Sequence, residues 1–378
     1  MFSVRVKHRL FRFFQATTVF ATLTFLPQFA LAAGRAGNVY VPTNQASGNS
    51  ILVFHRDPAG ALTFVTSVAS GGSGAGTGAD PLASQGAVVL SVDNRLLFAV
   101  NAGSNSISVF AASGDSLTPL DTVSSGGTFP ISLTVRDNLL YVLNGGGTPN
   151  ISGFTIVSPT NRLVPLPGSV QTLPGGVAAA PAQVSFSVDG SVLVVTEKGT
   201  DQIDTFTLND HGVAQPGVAF PFSGITPFGF AFRPDNVLVV SDAGGAPGTS
   251  AVSSYTVDDE GNVAVVTPAL GDTQTAACWL VLSQSGRFAF TANAGSATIS
   301  SYSVLEGGVL ELLDITAATT GNGSAPTDMA LSNNGQFLYV RNGGNGTIGA
   351  FHVEADGRLT PIGTTTGLPS GSQGIAAR

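Results

Sequence analysis

Two adjacent residues, Glu197 and Lys198, have the clearest capacity for chemistry in this sequence. A carboxylate beside a ligand-binding channel can act as a general base, and a neighbouring ammonium can hold an anionic substrate. Lys198 is also the only lysine after residue 7. The alternative is structural, with Glu197 accepting hydrogen bonds from the amides of its own loop and Lys198 pointing into solvent. The sequence alone leaves both interpretations open.

The position that Glu197 occupies recurs seven times, always where an apolar strand ends and before a strand that ends in Phe or Tyr. The seven strand-end residues are Asn44, Asn101, Asn144, Glu197, Asp242, Asn293 and Asn342. Asn and Asp stabilise turns by bonding the backbone, whereas Glu does this poorly. Glu197 is therefore a candidate catalytic residue. Asp242 is a candidate for binding a polar substrate, with turn formation as the alternative.

The spacing of these positions predicts the fold. Successive strand-end residues lie 43 to 57 residues apart, the period of one four-stranded propeller blade. A content of 43% hydrophobic and 10% charged residues suits sheets packed face to face, and 48 glycines suit many tight hairpins. Helical periodicity is absent after the first thirty residues. We therefore predict an all-β, seven-bladed β-propeller.

The two ends of the repeat predict how the ring closes. Residues 38–41 form a second strand that lacks its first, and residues 372–378 resemble 84–88, the start of a first strand. The C-terminal strand should therefore complete the N-terminal blade and leave no open edge. First strands should begin at one mouth of the central channel, near Glu197. The glycine-rich loop 70–78 is expected to overhang that mouth.

Residues 1–32 are predicted to be a secretory signal peptide, and residues 33–378 the propeller. Four basic residues between positions 5 and 12 precede an apolar run, and Ala30-Leu31-Ala32 supplies small residues before a cut. The alternative is an uncut membrane anchor. Cleavage would leave 11 basic and 23 acidic residues, a net charge of −12. We therefore expect a periplasmic or secreted monomer that binds neither nucleic acid nor, after cleavage, a membrane.

The cysteine and histidine residues indicate neither a disulfide nor a metal site. Cys278 is the only cysteine, which rules out an intramolecular disulfide. The next residue, Trp279, begins the first strand of the sixth blade and at the rim would stack on a ring or a sugar. No His, Cys and Asp spacing indicates a metal ligand set, so we predict neither a metal nor a cofactor.

Three phrases of the blades are shared with a known family: Val188-Asp189-Gly190, Leu193-Val194-Val195-Thr196-Glu197 and Asp356-Gly357-Arg358-Leu359. On these, residues 38–378 resemble the seven-bladed lactonase family. That family includes bacterial 6-phosphogluconolactonases, fungal 3-carboxy-cis,cis-muconate lactonising enzymes and secreted proteins of the 3-carboxymuconate cyclase type. Active members begin a first strand with Pro-Arg-His and end the next strand in Glu. Pro181 and Glu197 match that motif here, whereas Ala182 and Gln183 replace the Arg and the His.

Two functions follow from the resemblance and the residues. The first is an enzyme acting on a lactone or a muconate-type acid, with Glu197 as the base, Lys198 or Arg341 as the anion holder and Gln183 as a hydrogen-bond donor. The predicted substrate-binding residues are Gln183, Lys198, Asp242, Trp279, Asp328 and Arg341. The second function is a noncatalytic secreted propeller that binds a glycan, a small metabolite or a protein with the same face.

Overall fold

The computed structural model describes residues 1–3 and 35–378, and the residues from 35 onward lie in one compact unit. Apart from its first three residues, the predicted signal peptide, with its cleavage site, lies outside the described residues. Within the described part of the chain, no helix is long and apolar enough to cross a membrane.

The described residues form 29 strands in seven antiparallel sheets, which are the blades of one ring. Blade 1 contains β29 (Ala376–Ala377), β1 (Gly37–Pro42), β2 (Ser50–Arg56) and β3 (Leu62–Ala69). Blade 2 contains β4 (Val88–Leu90), β5 (Leu96–Asn101), β6 (Ser106–Ser113) and β7 (Ser116–Ser124). Blade 3 contains β8 (Thr128–Arg136), β9 (Leu139–Gly146), β10 (Asn150–Val157), β11 (Arg162–Pro165) and β12 (Gln171–Thr172).

The other four blades have four strands each. Blade 4 contains β13 (Pro181–Phe186), β14 (Val192–Glu197), β15 (Gln202–Thr207) and β16 (Val218–Pro221). Blade 5 contains β17 (Pro227–Phe232), β18 (Val237–Asp242), β19 (Ala251–Val257) and β20 (Val263–Gly271). Blade 6 contains β21 (Ala277–Leu282), β22 (Phe288–Asn293), β23 (Thr298–Val304) and β24 (Leu310–Thr319). Blade 7 contains β25 (Pro326–Leu331), β26 (Phe337–Asn342), β27 (Thr347–Val353) and β28 (Leu359–Thr366). Helix is limited in the described chain to three short 3₁₀ turns: Ala102–Ser104, Gly176–Ala178 and Glu306–Gly308. The all-β, seven-bladed prediction is confirmed.

Burial follows the position of a strand within its blade. Every residue of β14 is buried, because a second strand is covered by neighbouring blades on both faces. The outer strand β24 is mostly exposed. Between β13 and β14, Gly190 adopts a φ of +82°, which the tight turn needs and a side chain would disfavour. The core therefore lies between the blades, where the apolar faces of the sheets meet.

The ring closes as the ends of the repeat predict. β29 pairs with β1 through Ala376 opposite Tyr40 and Ala377 opposite Val39. The amide of Arg378 donates to the Asn38 carbonyl at 2.9 Å, and the Asn38 amide donates back at 3.2 Å. The C-terminal segment is thus the innermost strand of blade 1.

First strands carry a register shift where they begin. In blades 3 to 7 it falls between Pro130 and Ser132, Pro181 and Gln183, Pro227 and Phe230, Ala277 and Trp279, and Pro326 and Met329. A bulge of this kind re-aims side chains and interrupts pairing. Five blades therefore turn irregular backbone toward the same mouth of the channel, where the candidate site residues lie.

Candidate functional site

The mouth of the channel is covered by residues 79–85, which we call the crossing segment. Its carbonyls accept hydrogen bonds from three blades: Ala79 from Arg341 (3.0 Å), Ala83 from Lys198 (2.5 Å) and Ser84 from Trp279 (2.9 Å). The approach to blade 7 is close, since a Cβ on Gly343 would lie 2.0 Å from the Ala79 oxygen. The chain just after the glycine-rich loop therefore crosses the mouth that the loop was expected to overhang.

Glu197 lies at the end of β14 with its side chain turned into its own loop. It is 0% exposed, and its Oε1 accepts the Gly175 amide at 3.0 Å. Its Oε2 accepts a short hydrogen bond from the Thr200 hydroxyl. One oxygen therefore bonds the connection that enters blade 4, and the other bonds the loop between β14 and β15. A role as general base stays a prediction.

Asp242 occupies the same strand-end position in blade 5 and is equally buried. Both of its carboxylate oxygens lie 3.1 Å from the Ser253 hydroxyl, which belongs to the third strand of the same blade. Burial raises the pKa of Asp242 to about 8. The structure thus places Asp242 inside its blade, bonded to a neighbouring strand rather than open to the mouth.

Gln183 and Trp279 connect parts of the ring to one another. The Gln183 amide donates to the Phe230 carbonyl at 2.9 Å and accepts the Phe230 amide at 2.7 Å, which joins blade 4 to blade 5. The Trp279 indole is 1% exposed and packs edge-on against Phe228, with ring centroids 5.0 Å apart. Its N–H is bonded to the crossing segment. The indole therefore has no free face for the predicted stacking on a ligand.

Arg341 extends from β26 into the junction between blade 7, the C-terminal segment and the crossing segment. It is 1% exposed, and its guanidinium donates to the Thr327 carbonyl and hydroxyl, the Ser372 carbonyl, the Ala79 carbonyl and the Gln373 side chain. Burial lowers the pKa of Arg341 to about 10, so the group stays charged at neutral pH. The N–H groups of the Arg341 guanidinium already donate to protein oxygens. An anion-binding arginine needs two of these donors free to hold the anion.

Asp328 lies beside Arg341 and is fully enclosed. Its backbone has a φ of +95°, and its Oδ1 accepts the Met329 amide at 2.8 Å. Burial raises the pKa of Asp328 to about 7, with the charge of Arg341 opposing that rise. A strained backbone and a perturbed carboxyl both occur at functional sites. Here the backbone conformation belongs to the bulge of β25, and the pKa shift follows from burial.

Lys198 remains partly exposed at the mouth, and it does not extend freely into solvent. Its ammonium donates to the Pro181 carbonyl at 3.0 Å as well as to Ala83, and it lies 4.8 Å from the centre of the Phe228 ring. Burial lowers the pKa of Lys198 to about 8, with Asp80 and Cys278 opposing the shift. Lys198 is therefore a cation at the mouth with a pKa moved toward neutrality.

Asp80 is the site residue that sequence reasoning missed. It lies in the crossing segment, where its Oδ1 accepts the Ala83 amide at 3.0 Å. Burial raises the pKa of Asp80, while the charges of Arg341 and Lys198 and a hydrogen bond to Gln373 oppose the rise. In the sequence, its position two residues after the glycine-rich loop was the feature that could have placed it near the channel mouth. Which side chain of a long loop faces inward depends on tertiary contacts.

Cys278 completes the group of side chains around Lys198. Burial raises the pKa of its thiol to about 12. A thiol with that pKa is a poor nucleophile at neutral pH, because the thiolate is the reactive form. Among the residues that the structure describes, no group of three or more His, Cys, Asp or Glu side chains is placed to hold a metal ion.

The opposite end of the channel contains a cavity of about 550 Å³. Its apolar lining comes from the far ends of first strands and their turns, including Ala231, Phe232, Leu280 and Leu331. Gln85 closes its inner end, with its side-chain amide bonded to the Leu280 backbone at 2.8 and 3.0 Å. The crossing segment therefore reaches this cavity through Gln85, which bonds it to blade 6.

Comparison with known proteins supports the predicted resemblance. The family model "Lactonase, 7-bladed beta-propeller" matches residues 48–172. No curated protein matches the chain. The chain thus resembles the seven-bladed lactonase family, and the match falls on blades 1 to 3.

Solved structures extend the likeness to the whole ring. A putative 6-phosphogluconolactonase from Bacteroides fragilis is 20% identical with a TM-score of 0.67, covering 90% of this chain and 97% of its own. The periplasmic gluconolactonase PpgL from Pseudomonas aeruginosa is 18% identical with a TM-score of 0.69, covering 89% and 98%. A putative 6-phosphogluconolactonase from Bacteroides uniformis is 18% identical with a TM-score of 0.66, covering 90% and 98%. At these identities the likeness shows the fold.

Proposed function

We propose that this protein hydrolyses a small lactone at the channel mouth, with Asp80 as the general base and Lys198 as the cationic partner. One observation carries the proposal: the Asp80 carboxylate and the Lys198 ammonium both bond the backbone of Ala83 and so meet at one mouth of the ring. Burial there moves the pKa of the carboxyl upward and that of the ammonium downward. Acid and base pairs with pKa values displaced toward neutrality are typical of catalytic sites. The lactonase resemblance supports the same reaction class.

The chemistry needs one water and two proton transfers. Asp80 accepts a proton from the water while the water oxygen bonds to the lactone carbonyl carbon. The Lys198 ammonium stabilises the negative charge that develops on the carbonyl oxygen. The bond between the carbonyl carbon and the ring oxygen then breaks, and Lys198 donates a proton to that ring oxygen. The product is a hydroxy acid, and the proton held by Asp80 returns through solvent to Lys198.

The charges at the mouth suggest which lactone is preferred. A phosphorylated substrate is best held by a free guanidinium fork, and the Arg341 donors are bonded to protein oxygens. Lys198 alone offers a single compact positive charge. We therefore propose an unphosphorylated lactone, with a muconate-type carboxylate as the largest anionic group that the site accepts.

The test is a panel of aldonolactones, a phosphosugar lactone and muconate-type lactones, assayed with parent, Asp80→Asn and Lys198→Met proteins. Each variant should lose about 100-fold or more in kcat on any lactone that the parent hydrolyses. The exposed Asp93→Asn is the matched control, because Asp93 lies in a solvent-facing turn. A larger loss in Glu197→Gln than in Asp80→Asn would overturn the assignment of the base.

The pH profile adds an independent readout on Lys198. Because the ammonium must be protonated, kcat of the parent should fall above a pH of about 8. Lys198→Arg should move that alkaline limit upward, since a guanidinium stays charged throughout the range. An unchanged alkaline limit in Lys198→Arg would contradict the role of Lys198.

The alternative is a noncatalytic secreted propeller that binds a glycan, a small metabolite or a protein at the same mouth. The observation that favours it is that Glu197, Arg341, Gln183 and Trp279 are all engaged in contacts within the protein. Absence of turnover by the parent on every lactone of the panel would favour this alternative. Calorimetric titration of the parent with the same compounds then measures binding without chemistry.

We also propose that the protein is exported and that residues 1–32 are removed. The basic segment, the apolar run and the Ala30-Leu31-Ala32 site support this, and a structural relative is described as periplasmic. The intact mass of the protein recovered outside the cytoplasm should correspond to a chain that starts near Ala33. A mass that corresponds to a chain still containing residues 1–32 would contradict the proposal.

A further inference from the structure

Asp204 is a buried carboxyl group that the proposed function does not use. It lies in β15, is 0% exposed, and neither of its oxygens receives a hydrogen bond from any N–H or O–H group of the described chain. Its charged neighbour is Glu197, which lies within hydrogen-bond reach. No Lys, Arg or His nitrogen of the described residues lies within 4.0 Å of either carboxyl. Two ionised carboxylates in this position would repel each other in a dry environment.

The other blades show what normally occupies this place. Asp204 lies in the third strand of its blade and pairs with Val195, the residue two before the end of the second strand. The residue at the same position in blades 2, 3, 5 and 6 is a serine: Ser108, Ser152, Ser253 and Ser300. In blade 6, for example, the strand-end amide of Asn293 donates to Ser300 at 2.8 Å. Blade 4 replaces this neutral pair with Glu197 and Asp204. The substitution keeps the contact but requires a proton or a cation between two acids.

We propose that Glu197 and Asp204 share one proton and that this proton locks the connection between blades 3 and 4. The inference does not depend on lactone hydrolysis. Glu197 already accepts the Gly175 amide and the Thr200 hydroxyl, so donors rather than a metal ion approach its oxygens. The packing is also tight, since a Cβ on Gly175 would lie 2.0 Å from Glu197 Oε2. A proton fits between the carboxyls, whereas a calcium ion needs six to eight oxygen ligands.

The shared proton makes the stability of the ring depend on pH. Burial, followed by the neighbouring Glu197, raises the pKa of Asp204 to about 9. In the unfolded chain the same group titrates near pH 4. The folded protein therefore holds a proton that the unfolded chain has released, and the stability that it contributes falls as the pH rises from about 4 to about 9. Above that range Asp204 is ionised beside Glu197, and the repulsion weakens the contacts of Glu197 with Gly175 and Thr200.

The test compares the Tm of the parent with that of Asp204→Ser, which restores the residue found in four other blades, between pH 4 and pH 9. We expect the variant to exceed the parent by at least about 3 °C at pH 8, and the difference to shrink toward pH 4. Glu197→Gln supplies an amide donor to Asp204, so the Tm of this variant should change less with pH than the Tm of the parent. The exposed Asp210→Asn is the matched control and should track the parent.

Two results would overturn the proposal. The first is a difference between Asp204→Ser and the parent that does not change with pH. The second is a rise in the Tm of the parent at pH 8 on adding Ca²⁺, reversed by a chelator and absent in Asp204→Ser, which would mean that a cation rather than a proton lies between the carboxyls. Loss of lactone turnover alone bears on the proposed function and leaves this test intact.

Discussion

Removal of residues 372–378 is expected to abolish the cooperative fold or lower the Tm by more than 10 °C. The corresponding loss in the free energy of unfolding is on the order of the whole stability of a domain. These residues supply the innermost strand of blade 1, and Ile375, Ala376 and Ala377 are buried. Their loss would leave the backbone of β1 unpaired along one edge and the ring open. It would also remove Arg378, whose guanidinium donates to Asn38, Asn94, Ala112 and Gly114.

A circular permutant is the matched control for this deletion. Arg378 lies opposite Asn38 in an antiparallel pair, so a two-residue Asn-Gly hairpin can join residue 378 to residue 38. A chain that starts at residue 372, passes through this hairpin and ends at residue 371 contains the same blade with a new order. It should recover most of the Tm and the far-UV spectrum of the parent. A truncated chain that melts within a few degrees of the parent would contradict the closure.

Arg341→Met is expected to destabilise the protein by about 3 to 5 kcal/mol, the range seen when one partner of a buried charged network is removed. The guanidinium satisfies oxygens of Thr327, Ser372, Ala79 and Gln373, and methionine would leave them without donors. It would also remove the positive charge of Arg341 from beside the carboxyls of Asp80 and Asp328. Urea unfolding at pH 7 measures the loss.

Two further variants define what the Arg341 result means. Arg358→Met is the matched control, because Arg358 is exposed and forms a solvent-facing pair with Asp356. It should unfold within about 0.5 kcal/mol of the parent. Arg341→Lys keeps the charge but cannot reproduce the five-donor fork, so it should recover only part of the loss. Full recovery by lysine would show that charge rather than hydrogen bonding holds the junction.

The sequence by itself determined the architecture of this protein. Strand, turn and polar strand end recur with a period that a four-stranded blade requires, and the two chain ends contain complementary parts of one blade. These features are local patterns of apolar and turn-forming residues. Any chain that repeats them seven times must bury the same faces in the same order.

Only the tertiary structure decided where the charged side chains point. Glu197 faces its loop because the Thr200 hydroxyl of that loop and the Gly175 amide of the connection entering blade 4 both donate to its carboxylate. Asp80 reaches the mouth because the crossing segment is held by Arg341, Lys198 and Trp279 from three different blades. A long side chain has several rotamers of nearly equal energy, and distant partners select among them. Those partners become neighbours only when the ring has closed, so a local pattern does not contain them.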